Sequence, residues 1–102
     1  MRGYANSDAY GFFEWFVQMG EPMLRHLQEH HCGFPVNYSS DEEWTRRIGE
    51  MAEHLHYMDE WNVIDELYGG DYTRMKEINE TIEEHKTKFF KMFSEDFYNL
   101  WD

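Results

Sequence analysis

The stretch that decides the fold runs from Ser40 to Tyr68 and reads SDEEWTRRIGEMAEHLHYMDEWNVIDELY. Its first four residues, Ser40-Asp41-Glu42-Glu43, have the spacing of a capping box. The serine hydroxyl accepts the backbone N–H three residues on, and the glutamate reaches back to the N–H of the cap. Trp44, Ile48, Met51, Leu55 and Met58 then recur at alternating steps of four and three, which places them on one helical face that must be buried. The opposite side carries Asp41, Glu42, Glu43, Glu50, Glu53, Asp59, Glu60, Asp65 and Glu66, answered only by Arg46 and Arg47. Trp61, Val63, Ile64 and Leu67 keep the pattern apolar enough to continue, so the helix stops either at Asp59 or as late as Tyr68. Gly69-Gly70 end it in either case.

Upstream, Asp8 has the chemistry of a cap for a first helix. Phe12, Trp15, Phe16 and Met19 carry its apolar face, and Met23, Leu24 and Leu27 extend that face toward His31. Gly20 and Pro22 interrupt the run, and the reading is a helix kinked there or broken into two segments. Gly33 is the expected left-handed stop, with Phe34–Tyr38 an extended connection to the Ser40 cap. Downstream, Asp71 is the expected cap of a last helix bearing Met75, Ile78, Ile82, Phe89, Phe93, Phe97 and Leu100. That helix would span about thirty residues, on the order of 45 Å. The expected fold is all-α: a small bundle of three main helices, the first kinked or broken near Gly20-Pro22, with a long C-terminal helix. At 102 residues the chain is read as one helical domain over 1–102.

Composition bounds function. Nine Lys plus Arg against 21 Asp plus Glu give a net charge of −12. Such a chain repels phosphate backbones and anionic lipid and attracts basic surfaces. Neither direct nucleic-acid binding nor a membrane role is expected. Residues 41–71 hold ten acids and two bases, so this segment alone carries −8. One reading is a solvated face that keeps a small protein soluble. The other is an acidic surface for a basic partner, with Asp41, Glu42, Glu50, Glu53, Asp59 and Glu60 as a phosphate-like array and Tyr57 and Trp61 as exposed contact anchors. The 19 aromatic residues exceed what a three-helix core hides, so some should mark a contact surface. A lone Cys32 excludes an internal disulfide, and no apolar run matches a signal peptide or a membrane span. The chain reads as intracellular.

No pattern builds an active site, and the protein is not expected to be an enzyme or to hold a cofactor. His26, His30 and Cys32 are the best candidates for a metal site, since zinc takes N and S ligands and two of these residues are four apart. No second ligand pair has matching spacing, and histidines at a helix C-terminus also complement the backbone dipole. Glu53 and His56 show the Glu-x-x-His spacing of di-iron bundles, but those need the motif twice and His85 has Ile82 at the matching position.

Several segments together resemble a widespread family of short, acidic, phage- and prophage-encoded helical proteins. These are Arg2-Gly3-Tyr4, the aromatic first helix with Pro22, Gly33-Phe34-Pro35 followed by Ser40-Asp41-Glu42-Glu43-Trp44, and the ending Phe97-Tyr98-Asn99-Leu100-Trp101-Asp102. The resemblance implies a phage setting, in the cytoplasm of a host cell, rather than a mechanism. Small acidic phage proteins often act by binding a host factor, and inhibitors of host defence nucleases, CRISPR nucleases among them, are a prominent class. The expected function is therefore an anti-defence inhibitor that binds a basic host protein surface. The alternatives are a homo-oligomer, structural or sequestering a small ligand between subunits, and a metal-binding protein at His26, His30 and Cys32.

Overall fold

The computed structural model describes residues 11–31, 33–35 and 38–100. The expected cap Asp8, the N-terminal Arg2-Gly3-Tyr4, Cys32 and Trp101-Asp102 lie outside them. The described residues are all-helical, with no strand among them. They form four helices, α1 (Phe12–His30), α2 (Asp41–His56), α3 (Glu60–Leu67) and α4 (Met75–Asp96), followed by a 3-10 turn over Phe97–Asn99.

α2 is the central element. Ser40 caps it, its side chain accepting from the Glu43 N–H at 3.1 Å. The glutamate reaches one residue further back than a capping box requires, to the N–H and hydroxyl of Ser39. Trp44, Ile48, Met51, Leu55 and Met58 are all buried, as the periodicity demands. With Val17 and Leu24 of α1 and Phe89 and Met92 of α4 they make the main core. A smaller core, Val63, Ile64 and Ile78, joins α3 to the start of α4.

The count of three helices is corrected to four. The middle pattern is cut at Tyr57–Asp59, where Met58 and Asp59 donate to the Leu55 and His56 carbonyls in tight turns. The Asp59 carboxylate then accepts the Trp61 N–H at 2.9 Å and starts α3. α3 ends in the left-handed pair Gly69 (φ 60°) and Gly70 (φ 85°), with the Gly70 N–H returning to the Ile64 carbonyl at 2.8 Å.

α1, by contrast, is unbroken through Pro22. Pro22 and Gln18 are both exposed, so the carbonyl that proline leaves without a donor faces water. Gly20 serves close approach instead of a break. A Cβ there would lie 2.8 Å from Cδ2 of the fully buried Leu55. Nor is Gly33 a left-handed stop: the chain leaves α1 through His31 in an extended conformation. His31 donates from Nδ1 to the Gly33 carbonyl at 2.8 Å, and its Nε2 accepts the Thr45 hydroxyl at 2.7 Å. The connection is not simply extended either, since the Tyr38 N–H turns back to the Pro35 carbonyl at 3.0 Å.

α4 begins at Met75, later than expected. Asp71 does not cap it but closes a local turn onto the N–H and hydroxyl of Thr73. Near its end the buried Asp96 accepts the Tyr38 hydroxyl at 2.8 and 2.9 Å and the Arg47 Nε–H at 2.7 Å, tying the connection and α2 to α4. Arg47 also reaches Glu95 at 2.7 Å. Burial, then the hydrogen bond to Asp96, pushes the Tyr38 phenol up to about 12. The molecule measures 44 × 41 × 20 Å, a slab no more than two helices thick.

Candidate functional site

A polar cleft of about 450 Å³ opens between α1, α2 and α3. α2 supplies one wall, with Arg46, Gly49, Glu50, Glu53, His56 and Tyr57; α1 supplies Arg25 and Gln28, and α3 supplies Glu66. A Cβ at Gly49 would lie 2.5 Å from the amide nitrogen of Gln28, the far end of a flexible side chain that would have to shift.

His56 organises the cleft. Its Nδ1 meets Glu21 of α1 at 2.8 Å and its Nε2 meets Glu66 of α3 at 2.5 Å. Burial alone would push this imidazole down, but the two carboxylates outweigh it and hold the pKa above the ordinary 6.5. Reciprocally, the hydrogen bond from His56 keeps Glu66 below its usual range. The Tyr57 hydroxyl donates to the other Glu66 oxygen at 3.1 Å, and Asn62 donates to the His56 carbonyl at 2.9 Å. Both ring nitrogens are thus committed to carboxylates, which makes His56 a clamp between helices rather than a base presented to a substrate.

A second histidine pair lies on the α4 side of α2. His54 and His85 approach Nδ1 to Nδ1 at 2.9 Å, one donating and the other accepting. Burial pushes both below 6.5; Lys88 adds to this at His54, and the facing imidazole adds to it at His85. Glu50, Glu53 and Glu84 pull His54 in the other direction.

The acidic array predicted from sequence is divided by the fold. Glu50 and Glu53 are exposed in the cleft. Glu42 is exposed at the N-terminus of α2, separated from Glu50 by about 12 Å of helix. Asp41 is also exposed there and lies 3.3 Å from His31 Nδ1. Asp59 is half-buried and occupied as the α3 cap, while Glu60 beside it is exposed. Trp61 is 65% exposed, as expected of an anchor. Tyr57 corrects the expectation of exposure: it is half-buried, its hydroxyl on Glu66 and its ring centroid 5.2 Å from that of His85.

His26 and His30 lie tilted against each other, with ring centroids 4.5 Å apart, on the exposed side of α1. Among the described residues no group of three or more His, Cys, Asp and Glu is placed to hold a metal ion. No described helix is long and apolar enough to cross a membrane. Sequence reasoning missed Arg25, Gln28 and Glu66 as cleft residues and Glu21 as a partner of His56. Glu21 and Glu66 lie 35 and 10 residues from His56, and no local spacing marks such a clamp.

Comparison with protein-family models, with curated proteins and with solved structures returns no match to this chain.

Proposed function

We propose that this is a phage-encoded, non-enzymatic binding protein that occupies a basic surface of a host factor in the host cytoplasm. The resemblance in sequence supports the phage setting and, by class, a nucleic-acid-handling defence enzyme such as a CRISPR nuclease as the target. The observation that carries the binding reading is the state of the carboxylates. Glu21, Glu66, Glu83, Glu84, Glu95 and Asp96 are paired with cations or histidine. Glu42, Glu50, Glu53, Glu60 and Asp65 are exposed and form no ion pair with another described residue. Glu50 and Glu53 stand in the cleft beside Glu66, so a lysine or arginine of the partner would meet three carboxylates there, one of them, Glu66, already fixed by His56 and Tyr57. Trp61 supplies an exposed aromatic contact at the start of α3.

The test is binding to a panel of purified CRISPR nucleases, with nucleic acid as competitor. The triple variant Glu50→Lys, Glu53→Lys, Glu60→Lys spares Asp59, whose cap would otherwise confound the result. Each reversal at an exposed pair changes binding by about 1 kcal/mol, so three together should weaken affinity roughly 100-fold. The wild-type interaction should also fall steeply with salt. Binding that survives the triple reversal at both low and high salt would defeat the electrostatic reading.

A further inference from the structure

The apolar face expected of α1 is wider than its contact with the core. Leu24 is buried, as is Val17 beside it, and Phe16 and Leu27 pack against the core, but Phe12, Trp15, Met19 and Met23 are 61%, 57%, 48% and 63% exposed. With the exposed His26 and His30 they form one stripe, residues 12, 15, 19, 23, 26 and 30, at steps of three and four. No Asp, Glu, Lys or Arg falls on it. The stripe borders a mainly apolar groove of about 340 Å³ between α1 and α4, where Phe93, Phe97 and Leu100 form the far side.

We propose that this stripe is the seam of a two-fold dimer, packed antiparallel against the same stripe of a second copy. Three features select a second copy as the occupant. The steps of three and four are those of a helix that packs along a narrow seam against another helix, and a two-fold axis makes one such surface complementary to itself. The area is also sufficient for a specific contact. At roughly 200 Å² per large side chain, the exposed fractions of Phe12, Trp15, Met19, Met23 and Phe97 amount to about 560 Å². Two copies would bury about 1,100 Å² between them, which clears the ~1,000 Å² of a specific interface and stays below the ~1,600 Å² of a standard one. Finally, charge permits it: of the net −12, the −8 of residues 41–71 belongs to elements other than α1, so the seam itself is uncharged. The antiparallel sense centres Met19 on Met23 of the other copy and sets Phe12 and Trp15 against its His30 and His26. It also opposes the two helix dipoles.

The experiment is sedimentation equilibrium of the full chain under reducing conditions across the micromolar range. The expected mass is twice the 12.5 kDa of one chain. The double variant Met19→Glu, Met23→Glu alters only exposed positions and should halve that mass with an unchanged far-ultraviolet dichroism spectrum, whereas the Glu50, Glu53, Glu60 triple variant should leave it dimeric. In a Cys32→Ser background, Met19→Cys with Met23→Cys should form an intermolecular disulfide on oxidation. A wild-type mass of one chain throughout would overturn the proposal. A dimer that persists in the Met19, Met23 double variant would equally overturn it.

Discussion

Replacing Asp96 by alanine tests whether one carboxylate holds three segments together. Asp96 is 1% exposed and accepts from both Tyr38 and Arg47. Removing one partner of a buried charge pair costs about 3–5 kcal/mol, and leaving a phenol without its acceptor costs about 1–3 kcal/mol. Two facts reduce the sum. The Arg47 side chain is 23% exposed, and it keeps its 2.7 Å contact with Glu95. The net expectation is about 3–4 kcal/mol, a large part of the ~5–15 kcal/mol that stabilises a typical domain. Urea unfolding followed by far-ultraviolet dichroism should show the midpoint lowered by about 2 M, for a slope of about 1.5 kcal/mol per M. Tyr38→Phe should cost only about 1 kcal/mol, because Asp96 still holds Arg47. Combined with Asp96→Ala it should add almost nothing, as expected of two residues acting through one contact. A midpoint for Asp96→Ala within about 0.3 M of wild type, or about 0.5 kcal/mol, would refute the reasoning, since only surface substitutions away from special features are that cheap.

Gly20→Ala should destabilise by up to about 2 kcal/mol in the same assay, because overpacking against Leu55, about 1–3 kcal/mol, outweighs the ~1 kcal/mol gained in helix propensity. A stabilised variant would show that α1 and α2 are not in close approach at that point. Stability should fall on both sides of about pH 6.5. His54 and His85 resist protonation in the folded state, so the unfolded chain takes up protons first as pH falls below 6.5 and stability drops there. His56 is held above 6.5, so its contribution is full below that value and is lost as pH rises through its folded pKa. His56→Gln should remove the decline on the alkaline side, and His54→Asn with His85→Asn the decline just below 6.5. Each slope is bounded by about 1.4 kcal/mol per pH unit per proton. Chemical denaturation from pH 5.5 to 8 measures both, and a profile flat across that range would contradict the assignments.

The all-helical fold was legible where local chemistry and burial agree. In α2 the Ser40 cap and the Trp44–Met58 face both point to the structure found. The break after His56 was not legible, because Trp61, Val63 and Ile64 continue the apolar pattern while the turn is made by backbone bonds and by Asp59. Periodicity located the apolar residues of α1 but could not say which stripe the rest of the chain would cover. Pro22 left a kink and a break as alternatives, and the helix runs on through it, since its missing hydrogen bond costs less on a face open to water. In the cleft, Glu50 and Glu53 were visible as charge. The Glu21–His56–Glu66 clamp and the burial of Asp96 depend on residues brought together only by the tertiary fold.

The division of the interior into two clusters has a dynamic consequence. α3 is held by Val63, Ile64 and Ile78, a far smaller apolar contact than the one uniting α1, α2 and α4. Segments secured by little buried surface open as separate cooperative units, at free energies below that of global unfolding. Each opening of α3 carries Glu66 away from His56 and removes one wall of the cleft. Local unfolding of eight residues, Glu60–Leu67, and the closed shape of the cleft are therefore one equilibrium. A partner seated against Glu66 would draw that equilibrium toward the closed form, slowing amide exchange in α3 while leaving the main core unchanged.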